Sequence, residues 1–202
     1  GEEALQMLKE NEPDIVITDM MMPVMDGLKL CAQIKQNINT SHIPVIMVSA
    51  KTDSKDQLEA LKTGADDYIA KPFSMAILVT KIRNILRTYH RLQDKATKSM
   101  DIAPEKISFN MLDEQLLNKA ISIVEQNMDN TEFSTEEFAQ AMNMSRSNLH
   151  IKLKALTGES ALDFIRKIRF KEACRLLKDG RYSISEISDM VGFNTPSYFA
   201  TC

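Results

Sequence analysis

The sequence predicts two folds in series: a doubly wound parallel α/β sheet, then an all-α domain with two helix-turn-helix units. Three observations carry this. Short β-branched runs alternate with helical patterns up to about residue 92, which implies parallel strands with helices on both faces. From Asp113 onward the apolar spacing is helical throughout. In that second half an aromatic followed by S-x-x-E occurs twice, in Phe133-Ser134-Thr135-Glu136-Glu137 and in Tyr182-Ser183-Ile184-Ser185-Glu186. The expected division is 1–92, a linker over 93–112, and 113–202.

The elements of the first half follow from spacing and punctuation. Residues 2 to about 10 place Ala4, Leu5 and Leu8 on one helical face, and Pro13 ends that helix. Asp14 opens a strand through Ile15, Val16 and Ile17, with Asp19 at its end and a turn to Gly27. A helix follows from about Asp26 to Gln36, then a strand from Val45 to Val48 with Ser49 at its end. The next helix, about Ser54 to Lys62, stops near Gly64, a good residue just past a helix C-terminus. Asp67 to Ala70 reads as a third strand, leading into Lys71-Pro72 and a helix from near Ser74 to about Leu92. The linker is polar and weakly periodic, with Pro104 and mixed charges.

Parallel strands present their ends at one edge, and ligands of open α/β sheets bind beyond those ends. Asp19, Ser49 and Lys71 fall there. Singly, each has a plain structural reading: Asp19 or Ser49 as a cap, Lys71 as a solvated cation. Jointly, an anion, a hydroxyl and a cation make a phosphoryl site. Asp19 would be the nucleophile, Ser49 a donor to a phosphoryl oxygen, and Lys71 the charge that offsets it.

In the second half, Leu116, Leu117, Ala120, Ile121 and Val124 form one stripe. Each S-x-x-E is a capping box that starts a short helix. Those helices reach Asn143 and Gly192, which tolerate positive φ, and new helices begin at about Ser145 and Pro196. Two such pairs read as helix-turn-helix units. Between them runs a long helix, about Ala161 to Lys178, whose apolar face holds Leu162, Ile165, Ile168, Ala173, Leu176 and Leu177. From Arg146 to Arg181 ten Lys or Arg stand against four acids, a net of +6. A basic stripe beside a helix-turn-helix is an electrostatic footprint for DNA.

Composition sets the outer bounds. The 202 residues are 44% hydrophobic and 26% charged, ordinary for a globular chain with a core. The net charge of -3 excludes a chain that is basic overall, though not a basic patch. Cys31, Cys174 and Cys202 are far apart, which fits a reducing compartment and argues against a disulfide framework or zinc site. The longest apolar run is too short to span a bilayer, so no membrane contact is expected of this segment. The chain opens in mid-pattern at GEEALQMLKE, and the expectation is a segment of a longer protein.

Over about residues 1–92 the chain resembles a response-regulator receiver domain, on DIVITDMMMPVMDG, PVIMVSA and GADDYIAKPF. The resemblance implies that Asp19 accepts a phosphoryl group from a phosphohistidine of a histidine kinase, with Mg²⁺ required. It makes the Met21 backbone carbonyl a metal ligand beside Asp19. It makes Tyr68 the switch aromatic, which turns inward when the Ser49 hydroxyl moves toward the phosphoryl group. It also implies a cis Lys71–Pro72 peptide and a homodimer formed through the receiver. The family's first strand and acidic pair would lie upstream of Gly1. The receiver would therefore be N-terminally truncated, its sheet poorly buried, and its affinity for Mg²⁺ weak.

Over about residues 113–202 the chain resembles the DNA-binding domain of AraC-type regulators, on MSRSNLHIKLKALTG, FIRKIRFKEACRLLKDG and ISEISDMVGFNTPSYFA. This implies two recognition helices in successive major grooves, roughly 34 Å apart. In the first, Ser147, Asn148, His150 and Ile151 would face bases, the apolar Ile151 against a thymine methyl. Arg146, Lys152 and Lys154 would meet phosphates or solvent, and Leu149, Leu153 and Leu156 the core. Of the second, Pro196, Ser197 and Thr201 remain before the chain ends at Cys202. Together the two modules read as a phosphorylation-controlled transcription regulator in the cytoplasm. They also resemble the C-terminal end of hybrid two-component sensors, which would put a kinase on the same polypeptide and anchor the full-length protein in the inner membrane. Two alternatives stand beside this: a receiver-like docking module that is never phosphorylated, and an Asp-nucleophile phosphatase. The phosphatase would want a second acid within two residues of Asp19, where Met20 and Met21 stand.

Overall fold

The computed structural model describes residues 1–50 and 53–201. They form two compact units, one of residues 1–91 and one from Leu92 onward. Cys202, counted among the cysteines above, lies outside the described residues.

In the first unit the strands are β1 (Val16–Asp19), β2 (Val45–Ser49) and β3 (Asp67–Ala70). They pair in parallel in the order β1-β2-β3. The helices are α1 (Glu2–Glu10), α2 (Gly27–Gln36), α3 (Ser54–Lys62) and α4 (Met75–Lys98). The Asp26 side chain caps α2 by accepting from the Lys29 N–H at 2.7 Å. Gly64 has φ +103, as the end of α3 demands. Val16, Val45, Met47 and Tyr68 pack on one side of the sheet with Leu30, Cys31 and Ile34 of α2 and with Leu5 and Leu8 of α1. β2 is buried along its whole length because it is the middle strand. The expected poor burial is seen only on the two edge strands, where Ile17 of β1 is 43% exposed and Ala70 of β3 is exposed. Lys81 and Tyr89 of α4 reach Asp67 and Asp66 at the start of β3, at 2.7 and 3.0 Å.

The stretch expected to be a linker is folded. α4 continues past Leu92 to Lys98, and α5 (Pro104–Ile107) and the start of α6 (Met111–Gln126) follow. Its small and apolar residues are buried at Ala96, Ile102, Pro104 and Ile107. Its polar side chains bond within the second unit: Gln93 donates to the Ala155 carbonyl (2.5 Å) and Thr97 to that of Thr157 (2.9 Å). That is why the segment looks polar and aperiodic in sequence yet packs.

The remaining helices are α7 (Thr135–Met142), α8 (Arg146–Thr157), α9 (Ala161–Asp179), α10 (Ile184–Met190) and α11 (Pro196–Thr201). Both capping boxes form, Ser134 with Glu137 and Ser183 with Glu186. The turns after α7 and α10 use Asn143 at φ +58 and Gly192 at φ +70. On α6 the inward residue is Ile123 rather than Ile121, which is half-buried. On α9 the core is built by Phe164, Ile165, Ile168, Ala173 and Leu176, while Leu162 and Leu177 are exposed. Phe164 stacks at 6.1 Å on Phe138 of α7, and Phe170 packs against Phe193 and Phe199 near α11. Among the described residues no helix is long and apolar enough to cross a membrane.

Candidate functional site

The strand register creates the first candidate site. Asp19 lies level with Val48, and Ser49 with Ala70, so Asp19, Ser49 and Lys71 reach one edge. The main chain binds the edge together: the Met20 N–H donates to the Val48 carbonyl (2.8 Å) and the Lys71 N–H to that of Ser49 (2.7 Å). The Lys71 ammonium donates to Asp19 Oδ2, and the Met21 N–H donates to Oδ1 at 3.0 Å. Both carboxylate oxygens are therefore held while the side chain keeps 34% of its surface exposed. The Lys71 hydrogen bond and then the Met21 N–H hold the Asp19 carboxyl below its ordinary 3.8. Ser49 is fully buried at the same strand edge, one residue past Val48, which lies level with Asp19. Tyr68 is buried on the core side of β3. The Lys71–Pro72 peptide is cis.

Two residues of the turn after Asp19 matter beyond their punctuation in the sequence. Gly27 starts α2, and its N–H donates to the Met20 carbonyl at 3.0 Å. A Cβ there would lie 2.3 Å from the Asp19 carbonyl oxygen, so only glycine lets α2 start against the end of β1. Val24 has φ +68, rare for a β-branched residue, with the Met25 N–H donating to the Pro23 carbonyl across it (2.8 Å).

The donor set does not by itself make a Mg²⁺ site. It consists of one carboxylate already bonded to an ammonium and the Met21 carbonyl, whereas Mg²⁺ demands six oxygens in near-ideal geometry. Among the described residues no three His, Cys, Asp or Glu gather where they could hold a metal.

The second candidate site is the exposed face of α8 with α11. Arg146, Ser147, Asn148 and His150 are exposed and Ile151 is half-buried. Arg146 pairs with Glu136 of α7. Lys154 is exposed, and Leu149, Leu153 and Leu156 are core. Lys152 is a correction. It is fully buried, with Nζ 2.7 Å from Asp113 Oδ1, and so meets neither a phosphate nor solvent. Its position, three residues after Leu149 and four before Leu156, puts it on the core side. On α11, Ser197 and Thr201 are exposed and Pro196 half-buried. The Thr201 hydroxyl donates to the Ser197 carbonyl at 2.9 Å. Tyr198, which the sequence reading passed over, is 46% exposed and accepts from Arg166 at 2.8 Å.

The basic footprint is also smaller than its count. Of the ten cations, Lys152, Lys167 and Arg169 are buried. Lys167 donates to the Ala96 carbonyl and to Glu159, at 2.5 and 2.7 Å. Arg169 donates to carbonyls of Gly192 and Asn130, at 2.8 and 2.6 Å. Lys171, Arg175 and Arg181 are exposed but paired with Asp101, Glu172 and Asp179.

Two family models match separate stretches of the chain. Residues 1–83 match the family described as "Response regulator receiver domain", and residues 138–202 the family described as "Helix-turn-helix domain". The whole chain is similar to "Histidine kinase P4" of Formosa agariphila, 42% identical over 202 residues, which is 15% of that protein. Residues amounting to 44% of the chain are 45% identical to "Transcriptional regulatory protein CseB" of Streptomyces avermitilis, over 37% of its length. A solved Francisella response regulator receiver domain is 40% identical, covering 43% of this chain and 70% of that one, with a TM-score of 0.39. The chain thus spans well under half the length of these two relatives.

Proposed function

We propose that this chain, which carries a response regulator receiver domain followed by a helix-turn-helix domain of the AraC type, is part of a two-component transcription regulator in which a phosphorylation switch at Asp19 governs DNA binding by both helix pairs. The observation that carries the proposal is the held carboxylate: Asp19 at the strand edge, bonded by Lys71 and the Met21 N–H, with Ser49 at the end of the neighbouring strand. A carboxylate kept ionised is a competent nucleophile. One oxygen attacks the phosphorus of a phosphohistidine, the P–N bond breaks, and the leaving imidazole takes up a proton. The product is an aspartyl phosphate. Lys71 offsets the charge it brings, and the Ser49 hydroxyl donates to a phosphoryl oxygen.

Tyr68 already stands inward. The proposed output is therefore a change in what Ser49 and Tyr68 touch, which biases a receiver surface toward self-association or releases the helical domain. Mg²⁺ belongs to this reading through the receiver-domain match alone. DNA would be met by Arg146, Ser147, Asn148, His150 and Ile151 of α8 and by Pro196, Ser197 and Thr201 of α11. The relative matched over the full length of this chain is named a histidine kinase. This supports a hybrid arrangement in which the kinase lies on the same polypeptide; on that reading the regulator part would work in the cytoplasm and an anchor would lie elsewhere in the protein.

The test uses a duplex selected from a random-sequence library with the intact protein. Its affinity is compared with and without prior phosphorylation, alongside Asp19→Asn. A change of about fivefold or more, absent in the variant, is expected for coupling of about 1 kcal/mol or above. Equal affinities with Asp19 fully phosphorylated would contradict control by this switch.

A further inference from the structure

Two helix C-termini meet in the second unit, and side-chain bonds to their carbonyls hold them together. The last carbonyls of a helix have no partner within it and carry its partial negative charge. At the end of α8, the Ala155 carbonyl accepts from the Gln93 side chain at 2.5 Å and the Thr157 carbonyl from the Thr97 hydroxyl at 2.9 Å. At the end of α4, the Ala96 and Thr97 carbonyls accept from Lys167 of α9, at 2.5 and 3.2 Å. The same ammonium donates at 2.7 Å to Glu159, two residues past α8. Two negative helix ends repel, and Lys167 is the cation that offsets them. Gly158 ends α8 at φ +76, and a Cβ there would lie 2.7 Å from the Thr97 hydroxyl oxygen and 3.6 Å from Gln93 Cβ. The end of α4 is thus pressed onto the end of α8.

Little apolar burial backs these bonds. Of residues 92–101, Ala96 alone is buried. Hydrogen bonds of this kind contribute little net, because water replaces them when they open. The segment can therefore leave α8 while Leu149, Leu153 and Leu156 keep that helix in the core. α8 is the helix read above as facing DNA, and α4 begins in the first unit. We propose that residues 92–98 are a detachable cap on α8, with Gln93, Thr97 and Lys167 as its positioning residues. Docked, the cap orders the last turn of α8 and DNA is bound. Undocked, that turn frays and binding weakens. Asp19 then governs DNA binding through α4 and this cap. The proposal deepens the phosphorylation-controlled DNA-binding reading above and rests on it.

The test has one arm without DNA. Hydrogen exchange is followed in the full chain for wild type, for Gln93→Ala with Thr97→Val, and for Thr97→Ser. In the double variant the amides of residues 154–158 are expected to exchange about tenfold faster, the scale of losing one or two hydrogen bonds, with those of α6 and α10 unchanged. Thr97→Ser keeps the hydroxyl and is expected to match wild type. Unchanged exchange at 154–158 in the double variant, or a loss of protection spread evenly over the second unit, would overturn the proposal. The second arm measures affinity for the selected duplex with and without phosphorylation. The double variant is expected to bind about fivefold more weakly or worse and to lose the response to phosphorylation. Wild-type affinity, or a retained response, would overturn the proposal. A wild type that binds no duplex, or binds it without any response, would sink the function proposed above, and exchange at 154–158 would still decide whether the segment caps α8.

Discussion

Lys152 Nζ lies 2.7 Å from Asp113 Oδ1, and neither side chain has any solvent exposure. Removing one partner strands the other charge in the core. Asp113→Ala is therefore expected to cost about 3–5 kcal/mol, whereas Asp113→Leu combined with Lys152→Met is expected to cost far less or to stabilise. Urea unfolding of the two variants checks this, and equal losses would contradict it.

The Asp19 carboxyl titrates below its ordinary 3.8 because Lys71 and the Met21 N–H bond the ionised form. As pH falls, the unfolded chain takes up this proton before the folded one does. The resulting stability is present above 3.8 and is lost as pH falls through the folded midpoint. Lys71→Ala removes the largest cause, so the Asp19 midpoint should rise toward 3.8. Carbon-detected NMR of the side-chain carboxyl reads it directly, and an unmoved midpoint would show that Lys71 is not the cause.

Gly27→Ala places a methyl 2.3 Å from the Asp19 carbonyl oxygen, a backbone atom that cannot swing away. We expect a loss of about 1–3 kcal/mol, as for other overpacked sites, despite the better helix propensity of alanine. Slower phosphoryl uptake should accompany it, since the displaced residue is Asp19. Denaturant midpoints with an unchanged slope check the first part.

Burial pushes the Cys31 thiol up to about 11, while Cys174 is exposed. Thiolate is the reactive form. Iodoacetamide at pH 8 should label the Cys174 peptide and spare that of Cys31 until the protein unfolds. Equal labelling in the native state would place Cys31 outside the core.

What the sequence made legible was local chemistry. The S-x-x-E pairs at Ser134 and Ser183 announce capping boxes because both partners lie within one turn. The convergence of Asp19 and Lys71 follows from parallel strands alone. Burial of charge was not legible. Lys152, Lys167 and Arg169 look like any other cation in a basic stretch, and their partners Asp113, Ala96 and Gly192 are 39, 71 and 23 residues away. The helical position of Lys152, among leucines, was the one available signal. Likewise the Gln93–Ala155 and Thr97–Thr157 bonds turn a polar stretch into packed structure, and nothing local predicts a partner about sixty residues on.

The measurement that bears most directly on the central claim is the mass of the intact protein after acetyl phosphate with Mg²⁺, alongside Asp19→Ala. The account predicts a gain of one phosphoryl group in the wild type and none in the variant. No gain in the well-folded wild type, or an equal gain in Asp19→Ala, would contradict it and leave the receiver as a docking domain.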